Sequence, residues 1–424
     1  MALSVSDKLK LLGVKKGAAE LPPPKPKSPY EIDAVVAGAY QPTPLGDVFV
    51  AEQSYPSDYV YGSSPLISPS PRALISQWSN DARIADLPLE SFAFLDTETS
   101  GLAGGTGTYA FLVGVARFVG DQFVLQQFFM RDPAEEPALL EGLARFLAPC
   151  RALVTFNGKA FDAPLLTTRY SMHRIPLPYK DYCHLDLLPL ARRLWRDRLE
   201  SRALKYLEEH ILGLKRSAEE VPGYEIPWLY FDYLKSGDAR PLGGVFYHNA
   251  MDVVAMAALL AHVNEMIQNP YDGHVQHGLD FVALGKLFEE LGHWEEAARL
   301  FERGLQLDPS TGPIGQSGQG LSESDFELAL KRLSILQKRR GDFEEAIRLW
   351  EQAASEGHIY AHIEMAKYYE HKRRDIETAL KWTKSAWEHV RHANLPAYVR
   401  KHWLDEIAHR LERLERKNRT KRTA

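Results

Sequence analysis

The sequence predicts an α/β domain, a mixed sheet flanked by helices, followed by an all-α domain of repeated helical hairpins. Three observations carry that expectation. Three consecutive strand-like runs lead into alternating helix and strand, the order of a mixed sheet with helices packed on it. Asn269-Pro270-Tyr271-Asp272-Gly273 then breaks a long helical pattern and marks a boundary. Beyond the break, small and aromatic residues recur at the spacing of paired antiparallel helices.

Residues 1–30 read as a disordered basic, Pro-rich tail: six lysines (8, 10, 15, 16, 25 and 27) flank the polyproline stretch Pro22-Pro23-Pro24-Lys25-Pro26. Residues 31–87 are rich in Tyr, Pro, Gly and Ser, an irregular β-rich lead-in with strand-like pieces such as Asp47–Val50 and no function assigned. Residues 88–268 form the predicted α/β domain. Phe92-Ala93-Phe94-Leu95-Asp96 is a buried-strand run; Tyr109–Phe118 and Gln122–Phe129 follow as strands joined at Gly120-Asp121. A helix over Glu136–Leu147, a strand over Ala152–Phe156 and a helix over Pro164–Tyr170 come next, and apolar residues at Val253, Met256, Leu260 and Val263 mark a long helix from Gly243 to Ile267.

Residues 275–415 carry the repeats. Leu284-Gly285, Phe288, Gly292, Ala297, Phe301 and Pro309 sit at the spacings of a tetratricopeptide unit, two helices in about 34 residues. Leu333, Gly341, Ala346, Trp350 and Ala353 repeat those offsets, and a weaker third unit keeps Ala379 and Ala386 without either glycine. A Gly/Ser/Gln-rich insertion over Gly312–Ser324 separates the first two units. The basic tail 416–424 closes the chain.

Composition bounds what such a chain does. At 424 residues and 45% apolar content it is long enough to fill more than one core. Its 51 basic and 56 acidic residues balance to a net charge of −5, so any nucleic-acid surface is local. Two cysteines, Cys150 and Cys183, exclude a disulfide scaffold and a cysteine-based zinc site. The N-terminus has no secretory apolar core, and no run is expected to approach the ~20 apolar residues of a membrane helix. The expectation is a cytoplasmic protein with no membrane partner.

Three fragments carry chemistry. Asp96-Thr97-Glu98 ends an apolar strand, and period-two alternation sends Asp96 and Glu98 to one side. Two such carboxylates repel unless a divalent cation sits between them, or unless they form an acidic turn capping the next element. Asn157-Gly158-Lys159-Ala160-Phe161-Asp162 follows a strand; Asp162 opens a helix, as a ligand or a first-turn acid, and Asn157 is a binding candidate or a turn residue. In His248-Asn249-Ala250-Met251-Asp252, His248 and Asp252 share a helix face that points inward with Met256 and Leu260. An inward carboxylate needs a counter-charge, from a bound cation or from an arginine elsewhere in the chain.

Taken together and in this order, the fragments resemble the DEDD superfamily of RNase-H-like 3′–5′ exonucleases, and more closely the YprB-type bacterial proteins, an RNase-H-like domain joined to tetratricopeptide-like repeats. Asp96–Leu102, Gly107–Gly114, Val154–Lys159, Tyr230–Tyr233 and His248-Asn249 carry the resemblance, over roughly Pro88–Ile267. It implies two divalent cations, Mg²⁺ or Mn²⁺, held by Asp96, Glu98, Asp162 and Asp252, and phosphodiester hydrolysis of DNA or RNA ends. One ion activates water, and the other stabilises the leaving oxygen. The family places a Tyr four, or a His five, residues before the last Asp. Here the order is exchanged, with His248 four before and Tyr247 five before. Helical geometry turns His248 toward Asp252, making it the candidate general base, with Tyr247 the alternative.

Further candidates are looser. Lys159 is a phosphate contact or a solvated loop lysine, and Arg192, Arg193, Arg196, Arg198 and Arg202 are a backbone groove or a charged helix face. Asp186 supports the site or caps a helix. His184 reads as structural and Phe161 as core. The repeats imply an unidentified protein partner. The alternatives to a nuclease are a catalytically silent nucleic-acid-binding module and a tetratricopeptide scaffold.

Overall fold

The apolar run Phe92–Leu95 is buried on both faces because its strand lies inside a seven-stranded sheet. The structure, a computed structural model, describes residues 28–101, 107–217, 220–307 and 321–423. The tail up to Lys27, Leu102, Pro309 and residues 312–320 of the insertion lie outside the described residues. The chain divides into two compact units: residues up to Ile67 with Leu87–Asp186 and Glu208–Leu259, and Ser68–Asp86 with Leu187–Leu207 and everything from Leu260.

In the first unit, strands β1 (Ala39–Thr43), β2 (Gly46–Pro56), β3 (Val60–Tyr61) and β4 (Ser64–Pro65) precede β5 (Phe92–Thr99), β6 (Ala110–Val119), β7 (Gln122–Phe129), β8 (Ala152–Thr155) and β9 (Cys183–Asp186). The large sheet runs β1-β2-β7-β6-β5-β8-β9, with β3 and β4 pairing apart from it. β5–β8 and β8–β9 are parallel and the remaining pairs of the large sheet antiparallel, a mixed sheet as expected. Asp47–Val50 falls within β2, so the lead-in supplies two strands at one edge. The register of β5 against β6 shifts between Glu98 and Thr99.

Helices α1 (Glu136–Leu147) and α2 (Asp162–Met172) are the ones expected. Helix α3 (Leu187–Trp195) belongs to the second unit, and α4 (Ile226–Ser236) places Tyr230 flat on Phe111 of β6, ring centroids 4.0 Å apart. Helix α5 (Leu242–Gln268) differs from expectation in one respect. By length and composition it meets the requirement for crossing a membrane, yet it is mostly buried inside the protein. Its polar positions, His248, Asn249 and Asp252 among them, interrupt any continuous apolar run without lowering the average below that requirement.

The second unit continues as helical hairpins: α6 (Gly278–Glu290) with α7 (Trp294–Gln306), α8 (Glu323–Arg340) with α9 (Phe343–Ser355), α10 (Ile359–Tyr368) with α11 (Ile376–His392), then α12 (Ala397–Thr423). A Cβ at Gly285 would stand 2.9 Å from the Phe301 ring, so the first pair approaches closely only with glycine there. Gly292 and Gly341 end helices at φ +83°. The third unit lacks that glycine, and Arg374 takes the left-handed position at φ 53°.

Candidate active site

Four carboxylates and a histidine line one part of the first unit. Asp96 and Glu98 come from the end of β5, Asp162 from the first turn of α2, and His248 and Asp252 from successive turns of α5. Asp96, Glu98 and Asp162 border a cavity of about 670 Å³ together with Asn157, Phe161 and Gly223, a size that admits a nucleotide.

Each side chain has an identifiable support. Asp96 Oδ2 accepts from Asn249 Nδ2 at 2.9 Å, and Asn249 in turn accepts from Gln127 Nε2 at 2.9 Å. Gly114 makes room for this bridge, since a Cβ there would meet Asn249 Oδ1 at 2.1 Å. Asp162 Oδ1 accepts from the Thr97 hydroxyl at 2.5 Å. Asp186 accepts the backbone N–H groups of Asn157, at 2.7 Å, and Lys159, at 3.1 Å, and so holds the turn that delivers Asp162. That turn needs Asn157 at φ 68° and no side chain at Gly158, where a Cβ would lie 2.5 Å from Thr155.

His248 Nε2 stands 3.7 Å from Asp252 Oδ2 and 4.0 Å from Glu98 Oε1. Its Nδ1 lies 3.4 Å from Glu220 Oε1, outside hydrogen-bond geometry. The Tyr247 hydroxyl instead accepts the backbone N–H of Ser217 at 3.2 Å. The counter-charge for Asp252 is Arg216. Its guanidinium, 1% exposed, donates to Asp252 Oδ1 and both oxygens of Glu208, and to Glu220 at 3.0 Å. Tyr61 donates to the same Glu208. The arginine alternative to a bound cation is therefore present at Asp252.

Burial first, then the charges of Asp252 and Asp162, holds Asp96 well above the usual carboxylate range. Glu98 is raised by burial and then by Asp96, Asp252 and Asp162. Asp162 is pushed up by burial to about 6, against the Thr97 hydrogen bond. Among the described residues, no three Asp, Glu, His or Cys side chains close a metal shell by themselves. The donor set nevertheless fits a hard cation. It is all oxygen, and mutual repulsion withheld from water is what a divalent ion relieves.

The looser candidates separate. Lys159 is exposed at the turn. Arg192 and Arg196 are exposed residues of the second unit, where Arg196 pairs with Asp197 at 3.3 Å, Arg193 with Glu290 at 2.8 Å and Arg198 with Asp280 at 2.7 Å. Phe161 is not core: it is 59% exposed on the cavity wall. His184 is structural, bonded to Thr155 Oγ1 at 2.9 Å and pushed down to about 4 by burial.

Comparison with known proteins places this geometry. Residues 93–264 match the RNase H superfamily, and residues 280–311 match the tetratricopeptide repeat. The YprB protein of Bacillus subtilis (strain 168) is 35% identical over 294 residues, 68% of this chain and 67% of that protein. The chain belongs to the YprB-type family. Its first unit is accordingly an RNase-H-like, nuclease-type fold, and its C-terminal helices are tetratricopeptide-like. A family B DNA polymerase from Pyrobaculum calidifontis aligns at 16% identity over 49% of this chain and 30% of its own, with a TM-score of 0.33, too slight to carry an argument. Within the YprB-type fold, three supporting residues have no local signature: Arg216, Glu208 and Glu220. Thr97, Asn249 and Gly114 lay inside resembling stretches without an assigned role.

Proposed function

We propose that the chain is a metal-dependent nuclease, a 3′–5′ exonuclease on single-stranded DNA or RNA ends, with residues 88–268 as the catalytic domain and residues 275–415 as a partner-binding repeat domain. The observation that carries the reading is the clustering of Asp96, Glu98, Asp162, Asp252 and His248, with burial holding the first three above the usual carboxylate range. The four carboxylates would hold two Mg²⁺ or Mn²⁺ ions, which supply charge neutralisation for the attacking water and the leaving oxygen. His248 takes the water proton at Nε2, the ring atom facing the carboxylates. Asn157 on the cavity wall and Lys159 at the turn meet the substrate backbone. The buried thiols of Cys150 and Cys183 suit a reducing cytoplasm.

The test is an assay of the purified chain on single strands of DNA and RNA labelled at either end, with and without Mn²⁺. Asp162→Asn and Asp252→Asn are expected to fall to background, Asp162→Asn with an unchanged melting curve and Asp252→Asn with a lowered one, since it also takes a carboxylate from Arg216. His248→Ala is expected to lose about 10²–10⁴-fold in rate. Metal-dependent turnover that survives in both Asp variants removes the reading. The ion pair of Arg216 with Asp252 favours one rival, a module that binds nucleic acid without cutting it. Metal-independent binding of the same strands with no product in any arm would select it.

A further inference from the structure

We propose that a cavity in the repeat unit, walled by α9, α10 and α12, binds a carboxylate of an acidic segment of a protein partner. The cavity measures about 230 Å³. Phe343, Trp350 and Tyr368 supply its aromatic walls, with Phe343 and Trp350 ring centroids 5.6 and 6.5 Å from that of Tyr368. Lys338, Lys367, Lys372, Arg410 and Arg413 supply its charge. Against them stand two buried or half-buried carboxylates. Glu364 accepts from Lys338 at 2.6 Å and Lys367 at 2.8 Å. Glu370, its side chain 1% exposed, accepts from Arg413 at 2.6 Å, Lys417 at 2.8 Å and Arg410 at 3.2 Å. Lys372 Nζ lies 5.0 Å over the Phe343 ring rather than on an acid.

Two features suit the cavity to an anion. The buried N–H groups at Arg410 Nε, Arg413 Nε and Trp350 Nε1 have no acceptor among the described residues, and all three belong to residues lining the cavity. Buried donors left without partners are destabilising, and oxyanion acceptors relieve them. Arg410 is also held below its ordinary value by burial and by the Arg413 charge, despite Glu370, Glu406 and Glu364 nearby. Positive charge is in local excess.

The shape selects a carboxylate over a nucleic-acid backbone. The volume is below the ~300 Å³ at which pockets for whole small ligands begin, so it suits one acidic side chain and not a nucleotide. The cations converge on one place, whereas a strand is tracked by charges spaced along successive phosphates. Their present acceptors, Glu364 and Glu370, are carboxylates already. Stacked helical repeats present such concavities to protein segments. The proposal does not depend on the nuclease reading.

The test uses the full chain and a fluorescein-labelled hexapeptide of alternating Glu and Asp. The same peptide in Gln and Asn, and a single-stranded DNA hexamer, are the comparisons. The acidic peptide is expected to bind and the amide peptide not. Lys372→Glu, at an exposed position, is expected to weaken binding tenfold or more, and Lys401→Glu, on α12 away from the cavity, to leave it unchanged. No binding of the acidic peptide, binding that survives Lys372→Glu, or an equal loss in Lys401→Glu overturns the proposal. So does Lys372-dependent binding of the DNA hexamer in preference to the peptide. A melting curve of Lys372→Glu that matches the wild type is required for its loss of binding to count in favour.

Discussion

Asp252 points into the protein from α5, and a carboxylate so placed needs a counter-charge. Arg216, 36 residues earlier in the chain, supplies it while also joining Glu208 and Glu220. Removing one member of a buried ion network leaves the others uncompensated, at about 3–5 kcal/mol. Arg216→Gln is therefore expected to melt well below the wild type in metal-free buffer, and Mn²⁺ to raise its melting temperature by more than it raises the wild type's. Equal responses to Mn²⁺ in the two proteins would dissociate Arg216 from the carboxylate cluster. At this scale the four acids were legible because each sits in a short motif with its own strand or helix end. Arg216 was not, because a lone arginine in a loop carries no sign of the acid it will meet. Phe161 was misjudged for a related reason: an apolar side chain favours burial on average but does not require it.

Strand β6 leaves room for helix α5 at Gly114, where Asn249 reaches over the strand to hold Asp96. Gly114→Ala forces the buried Asn249 side chain to move, and overpacking of this kind costs about 1–3 kcal/mol. The variant is expected to lose both stability and catalytic rate, whereas Gly243→Ala, with open space around it at the start of the same helix, leaves the rate unchanged. An unaltered rate in Gly114→Ala would remove Asn249 from the support of the site. Elements were the best-read level. The runs Phe92–Leu95 and Gln122–Phe129 are strands, and Glu136–Leu147 is a helix with the bounds expected, because apolar periodicity is local information. The place of β1 and β2 at the sheet edge was not readable, since Phe49 pairs with Phe129, 80 residues on. Nor was the membership of α3 in the second unit, which is decided by packing alone.

Both units carry buried histidines that respond to acid, His184 in the first. In the second, burial, together with the His274 and Arg198 charges, pushes His262 down to about 4, and burial with His389 does the same to His362. An unfolded histidine titrates near 6.5. Between those values the unfolded chain binds more protons than the folded one, so the stability these residues contribute is full above about 6.5 and lost as pH falls toward 4. Thermal melts taken from pH 7 to pH 4.5 are expected to show a falling transition, less steep in His262→Gln. A slope identical in that variant would assign the acid response elsewhere. The long reach of the sheet sets an order of events during synthesis. Hairpins of the repeat unit join neighbours in the chain, but β2 waits for β7, and the Asp96 bridge waits for Asn249. A nascent polypeptide halted before residue 248 carries three of the four acids without the histidine or the last aspartate. The carboxylate cluster is thus completed only late in translation, once α5 has left the ribosome.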